Sequence, residues 1–143
     1  MGWLKTAGIV ALGLGVLIGV LAFYQSTVTN PAVVEEITQN PQGDRAGIVM
    51  LLTISEGKTL PVNYLREGDT VFIGADGSWW REFQGEGAEV TLLIRGVRLQ
   101  GRAKVVLDNP TYTHEVFARL RPSAPAWLPD WLNGKLIVIE LAQ

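Results

Sequence analysis

The sequence predicts a mainly β fold: a small, closed or partly closed barrel of six strands with one or two short helices, preceded by an N-terminal transmembrane helix. Three observations carry this expectation. Six β-patterned runs follow one another after Arg45, joined mostly by short glycine-centred turns. No regular alternation of strands with helices suggests a layered α/β sheet. Ahead of them, Ala7 to Phe23 ("AGIVALGLGVLIGVLAF") runs 17 residues without a charge.

As a helix that block is about 25 Å long at 1.5 Å per residue, close to the thickness of a bilayer core. Trp3 and Tyr24 bracket it as interfacial aromatics do. Lys5 precedes it and no Lys or Arg follows until Arg45, which favours a cytoplasmic N-terminus and an extracytoplasmic domain. A cleaved signal peptide is the competing reading. The thin basic start, the long apolar run and the lack of an A-x-A site in "LAFYQS" favour an uncleaved, single-pass anchor. Ala7, Ala11, Gly15 and Gly19 form a small-residue stripe suited to helix–helix association, so a homodimer through the Gly15/Gly19 face is one expected partner arrangement.

The chain therefore divides into an anchor at residues 1–25, a stalk at 26–44 and a barrel domain at 45–143. The stalk carries "TNP" and "QNP", and a short helix is predicted from Asn30 through Ile37 with Pro31 in its first position. "AGIVMLLTIS" is apolar on both alternating sets and predicts a strand buried on two sides. "EGK" and "EGD" are tight turns leading into "TLPVNYLR" and "TVFIGA". "AEVTLLIRG", "VRLQGRAKVVLD" and the C-terminal "KLIVIEL" complete the set. One helix interrupts it: Asn109 is the expected N-cap, Pro110 the first helical residue, and Thr113, Val116, Phe117 and Leu120 form one apolar face, with Pro122 as the stop. "APAWLPDWLNG" reads as a loop with aromatic anchors. In "GADGSWWREF" two adjacent tryptophans would point to opposite faces of a strand.

Composition narrows the chemistry. A net charge of −2 gives no global basic field for nucleic acid. With no cysteine and a single histidine, His114, thiolate and histidine-rich metal sites are excluded. Ser55, Ser78 and Ser123 have no evident base, Glu67, Asp69 and Asp76 sit in turns, and no phosphate-binding glycine motif occurs. Arg98, Arg102 and Lys104 share one strand face with Gln100, either as a solvated surface or as a contact for anionic lipid.

The run "LLTISEGKTLPVNYLREGDTVFIGADGSWWREFQGEGAEVTLLIRGVRLQGRAKVV" resembles the deazaflavin-dependent nitroreductase family, over about Ala46 to Leu141. The shared features are a first strand ending in "LLT", a Pro-x-x-Tyr-Leu strand, an acidic-glycine turn and a glycine loop leading into aromatic sequence. The resemblance implies a flavin-binding split β-barrel of the pyridoxamine-phosphate-oxidase-like fold, with its cofactor in a groove at the barrel, usually at a subunit interface. It implies a phosphate contact from Lys58 and Thr59 and a ring-facing loop of Gly74, Ala75, Asp76, Gly77 and Ser78 bordered by Trp79. Arg81 is a second anion contact. The cofactor is then 8-hydroxy-5-deazaflavin coenzyme or FMN, no catalytic side chain is required, and the acceptor is small or lipophilic, such as a quinone. Only Lys58-Thr59 remains of the family's basic loop, and the glycine loop is shortened. A non-enzymatic, membrane-held binding or scaffold barrel is accordingly the alternative. Cofactor supply favours a cytoplasmic domain, against the charge rule. Trp80 is expected to plug the barrel end while Trp79 borders the groove.

Overall fold

The computed structural model describes residues 30–54, 57–122 and 134–143. The expected transmembrane anchor, its Gly15/Gly19 face and the loop with Trp127 and Trp131 lie outside the described residues. Among those residues no helix is long and apolar enough to cross a membrane. Two compact units are present, Met1–Glu35 and Glu36–Gln143. The second begins within the segment expected as a stalk, and Ile37 is already buried.

Helix α1 spans Asn30–Gln39, two residues beyond the predicted end. Strands β1 (Val49–Thr53), β2 (Thr59–Glu67), β3 (Thr70–Ala75), β4 (Ala88–Ile94), β5 (Val97–Val106) and β6 (Lys135–Leu141) follow, with α2 (Pro110–Leu120) between β5 and β6. Every pairing is antiparallel and the order β1-β2-β3-β6-β5-β4 closes on itself. Closure removes both sheet edges and so satisfies the backbone groups that an open sheet exposes.

The first strand starts later than its apolar pattern suggests. Gly47 N–H donates to Asp44 O and Ile48 N–H to Arg45 O at 3.1 and 3.0 Å, which winds Arg45–Gly47 into a 3-10 turn before extension begins. Its two-sided burial holds in part: Val49, Met50 and Leu52 are buried and Leu51 is half-buried. Alternation elsewhere sends Val71, Ile73, Val90, Leu92, Ala103, Ile137 and Ile139 to the interior, where they join Met50 and Leu52. Gly101 sits in mid-strand because an added Cβ would lie 2.7 Å from Glu140 O and 2.8 Å from Ile139 Cγ2; only glycine lets β5 approach β6 so closely.

The second helix obeys its sequence signals. Tyr112 N–H donates to Asn109 Oδ1 at 3.1 Å, and Pro110 opens the helix where no N–H is needed. Val116 and Phe117 are buried against Phe72 and Leu136 on the outside of the barrel. Each contributes about 1.5–3 kcal/mol of apolar burial. Arg119 Nη2 donates to Glu67 Oε1 at 2.9 Å, tying the outer helix face to the end of β2.

Candidate functional site

Strand β3 delivers Gly74 and Ala75 to one end of the barrel, and the chain then turns through Asp76 and Gly77 into a 3-10 segment, Ser78–Phe83. The tryptophans therefore leave the sheet and need not oppose each other. Trp79 and Trp80 are both half-buried against the interior cluster. The plug is Phe83, which is 1% exposed, and not Trp80 as the sequence suggested. The reason is geometric: the tight 3-10 winding carries Phe83, at the end of the segment, over the barrel interior. Trp79 packs its ring edge-on to Phe83, with centroids 6.1 Å apart.

Trp80 has a different surrounding. The Arg81 guanidinium carbon lies 5.6 Å from its ring centroid and Lys135 Nζ lies 5.8 Å from it. Two cations on one aromatic ring exploit the negative face of its π-system. Lys135 comes from the first position of β6, which pairs with Ala75. Sequence reasoning missed Lys135, because the β3–β6 pairing joins positions sixty residues apart (135 − 75 = 60). The only local signal is the Gly134–Lys135 step into the last strand.

Antiparallel register places the nominated residues at one barrel end. Thr53 pairs with Thr59 where β1 turns into β2, and β2 returns to β3, whose Gly74 and Ala75 end on that side. Lys58 and Thr59 are exposed there, with the Thr59 hydroxyl 3.0 Å from that of Thr53. Among the described residues no hydrogen bond or ion pair joins Lys58 to the Gly74–Arg81 segment.

The inner part of the glycine loop is occupied by protein. A Cβ on Gly74 would meet Arg121 Nη2 at 2.8 Å and Phe117 Cε1 at 2.9 Å. Asp76 Oδ1 is 3.4 Å from Arg121 Nη2. That flank of the loop thus holds the end of α2, while Gly77, Ser78 and Arg81 are exposed beside half-buried Trp80. Arg121, also absent from the sequence-based set, lies one residue past the predicted helix and shows its role only through tertiary packing.

Two concavities are lined by described residues. One of about 370 Å³ crosses the outer face of four strands and is lined by Thr53, Thr91, Gln100, Arg102 and Glu140 among others. One of about 280 Å³ lies beneath the start of α2 and is lined by Val106, Leu107, Pro110, Lys135 and Leu136 among others. None of the residues nominated for the cofactor lines either one; Gln100 and Arg102 of the cationic strand face line the first, and Lys135, beside Trp80, lines the second.

The strand face with Arg98, Arg102 and Lys104 is exposed. Arg102 is engaged, 3.6 Å from Glu89 and donating to Glu86 O at 3.2 Å. His114 lies on the exposed side of α2, away from Val116 and Phe117. The Arg119 guanidinium is held above its ordinary value by its hydrogen bond to Glu67. Among the described residues no cluster of acidic or histidine side chains is arranged to hold a metal ion.

The barrel is a known fold. Over 78% of this chain and 94% of the other, it superposes on the crystal structure of a candidate pyridoxamine 5'-phosphate oxidase from Listeria innocua, with a TM-score of 0.55 and 15% identity. A weaker likeness, with a TM-score of 0.45 and 15% identity over 76% of this chain and 88% of the other, links it to an FAD-binding protein from Mesorhizobium loti. At 15% identity the likeness to the first of these is one of fold alone, a six-stranded antiparallel barrel. No family model matches the chain. No curated protein matches it by sequence.

Proposed function

We propose that the chain is an oxidoreductase of the flavin-binding split-barrel class, of the deazaflavin-dependent nitroreductase kind, held to a membrane by residues 1–25. The observation that carries this reading is Trp80 with Arg81 and Lys135 5.6 and 5.8 Å from its ring centroid, at the barrel end that also bears the glycine loop. A flavin or deazaflavin combines a flat ring with an anionic tail. A half-buried indole beside two exposed cations fits that combination, and Gly77 and Ser78 offer exposed backbone next to it.

The residues divide the work. Arg81 and Lys135 hold the anion, Lys58 adds positive charge from the β1–β2 turn, and Gly77 and Ser78 allow close approach of the ring. Asp76 is turned to Arg121, so it positions the loop by anchoring it to α2. FMN or 8-hydroxy-5-deazaflavin coenzyme, when bound, supplies hydride transfer, and the chain supplies orientation and charge. A small or lipophilic acceptor accords with membrane tethering.

One observation favours a second reading. Phe117 and Arg121 fill the flank of Gly74. A loop packed in this way suits a non-enzymatic binding or scaffold barrel whose groove has closed.

The test is titration of FMN and of 8-hydroxy-5-deazaflavin into the full-length chain in detergent, following tryptophan fluorescence and thermal unfolding. A ligand at a hundred times its dissociation constant stabilises the native state by about 2.7 kcal/mol. Stabilisation by either, with quenching of tryptophan emission, supports the oxidoreductase. Absence of both with either cofactor overturns it and leaves the scaffold barrel.

A further inference from the structure

Three large hydrophobic side chains are exposed among the described residues: Ile48 at 56%, Val97 at 56% and Leu107 at 51%. Two of them share one end of the barrel. Val97 leaves the turn between β4 and β5, in which Arg95 adopts a left-handed φ of 49°. Ile48 follows Gly47, and a Cβ on Gly47 would fall on the Arg95 guanidinium. The entering chain is laid across this turn: Gln42 Nε2 donates to Arg95 O at 3.5 Å, and Pro41 lies against Gly96. Leu107, beyond the far end of β5, is at the opposite end with Trp80 and Lys135.

The charges flanking Val97 are basic, Arg95 before it and Arg98 after it. Arg95 and Arg98 are exposed there, and Arg45 lies 3.5 Å from Glu36. Beside these stand Glu36 and Asp44, and the β2–β3 turn at the same barrel end adds exposed Arg66, Glu67 and Asp69. Glu36 also opens the compact unit, so the chain enters the barrel unit at this same end. The stretch that reads from sequence as membrane-spanning, Ala7 to Phe23, ends 13 residues upstream (36 − 23 = 13).

From this arrangement we infer that the Ile48/Val97 end of the barrel docks on an anionic membrane surface, with Arg95 and Arg98 at headgroup level and the two aliphatic tips in the interface. A protein partner fits less well. Two side chains fall far short of the roughly 800 Å² per partner that a stable protein interface covers. A lipid surface needs only apolar tips ringed by basic side chains. The face first singled out in the sequence is thereby divided. Arg98 belongs to the docking end, Arg102 is engaged with Glu89, and Lys104 lies toward the opposite end.

The absence of native cysteine makes the test direct. Ile48→Cys, Val97→Cys and Leu107→Cys each carry one fluorescent label in the full-length chain, reconstituted in vesicles that contain brominated lipid. With phosphatidylglycerol present, labels at 48 and 97 are quenched and the label at 107 is not. Arg95→Gln and Arg98→Gln each reduce the docked-to-undocked ratio about fivefold, the equivalent of about 1 kcal/mol per basic residue near an anionic surface. Equal quenching at all three positions overturns the proposal. So does quenching at 48 and 97 that is indifferent to phosphatidylglycerol, or shielding of those labels that persists in lipid-free detergent and reports a protein contact. The outcome is independent of cofactor binding at the Trp80 end.

Discussion

Arg121 Nη2 lies 3.4 Å from Asp76 Oδ1 while its guanidinium carbon sits 5.3 Å from the centroid of the Phe117 ring. One side chain thus ties the end of α2 to the loop after β3, and Gly74 makes the room for it. Gly74→Ala is expected to lower stability by about 1–3 kcal/mol, because Phe117 is buried and cannot swing away from the new methyl. Asp76→Asn is expected to cost under about 1 kcal/mol, since that carboxylate is largely exposed and its ion pair is screened by water. Urea unfolding of both variants checks the contrast. Equal losses would mean that the ion pair, and not packing over Gly74, holds the loop.

Phe83 and the tryptophans beside it should respond differently to truncation. Phe83 is 1% exposed within the interior cluster, so Phe83→Ala is expected to cost about 3–5 kcal/mol. Trp80→Phe keeps an aromatic ring at a half-buried position, and is expected to cost under about 1.5 kcal/mol, as a size-conserving apolar change does. Denaturant midpoints decide. A Trp80→Phe loss as large as that of Phe83→Ala would restore Trp80 as the plug.

Local signals were legible and non-local ones were not. The six strands, the glycine turns and the Asn109–Pro110 start of α2 followed from β-patterned apolar runs, turn glycines and capping chemistry, which act within a few residues. The exception at the first strand arose because Asp44 to Ile48 form i→i+3 bonds, and an apolar pattern alone does not distinguish such a turn from early extension. The site was harder. Lys135 reaches Trp80 only because β6 pairs with β3, and Arg121 reaches Asp76 only because α2 crosses that pair. Neither adjacency has a sequence period. The choice of plug was made between the two tryptophans, while the winding of Ser78–Phe83 gives the interior to the last aromatic.

Asn109 supplies a clean measure of how far α2 depends on its cap. Its side-chain oxygen accepts the Tyr112 N–H, which would otherwise lack a partner at the helix start. Asn109→Ala is expected to destabilise the unit by about 1 kcal/mol, whereas Asn109→Asp preserves the acceptor and is expected to be nearly neutral. Thermal unfolding at neutral pH compares the two. If both lose equally, the amide NH2 rather than the oxygen is the group that matters.

The cations around Trp80 separate the two ends of the proposed cofactor. Arg81 and Lys135 approach one ring from different elements, so either alone retains part of the positive field. Arg81→Gln and Lys135→Gln are each expected to weaken FMN or 8-hydroxy-5-deazaflavin binding by about 10–100-fold, from the roughly 1.5–3 kcal/mol carried by a hydrogen bond to a charged group. Lys58→Ala is expected to lose less, because Lys58 stands exposed at the β1–β2 turn and has only its long-range charge to contribute. Fluorescence titrations at two ionic strengths make the comparison, and the Lys58 effect should fade with salt while the other two persist. If Lys58→Ala instead carries the larger, salt-resistant loss, the anion sits at the hairpin, and Trp80 with its two cations is part of the barrel's closure rather than of its site.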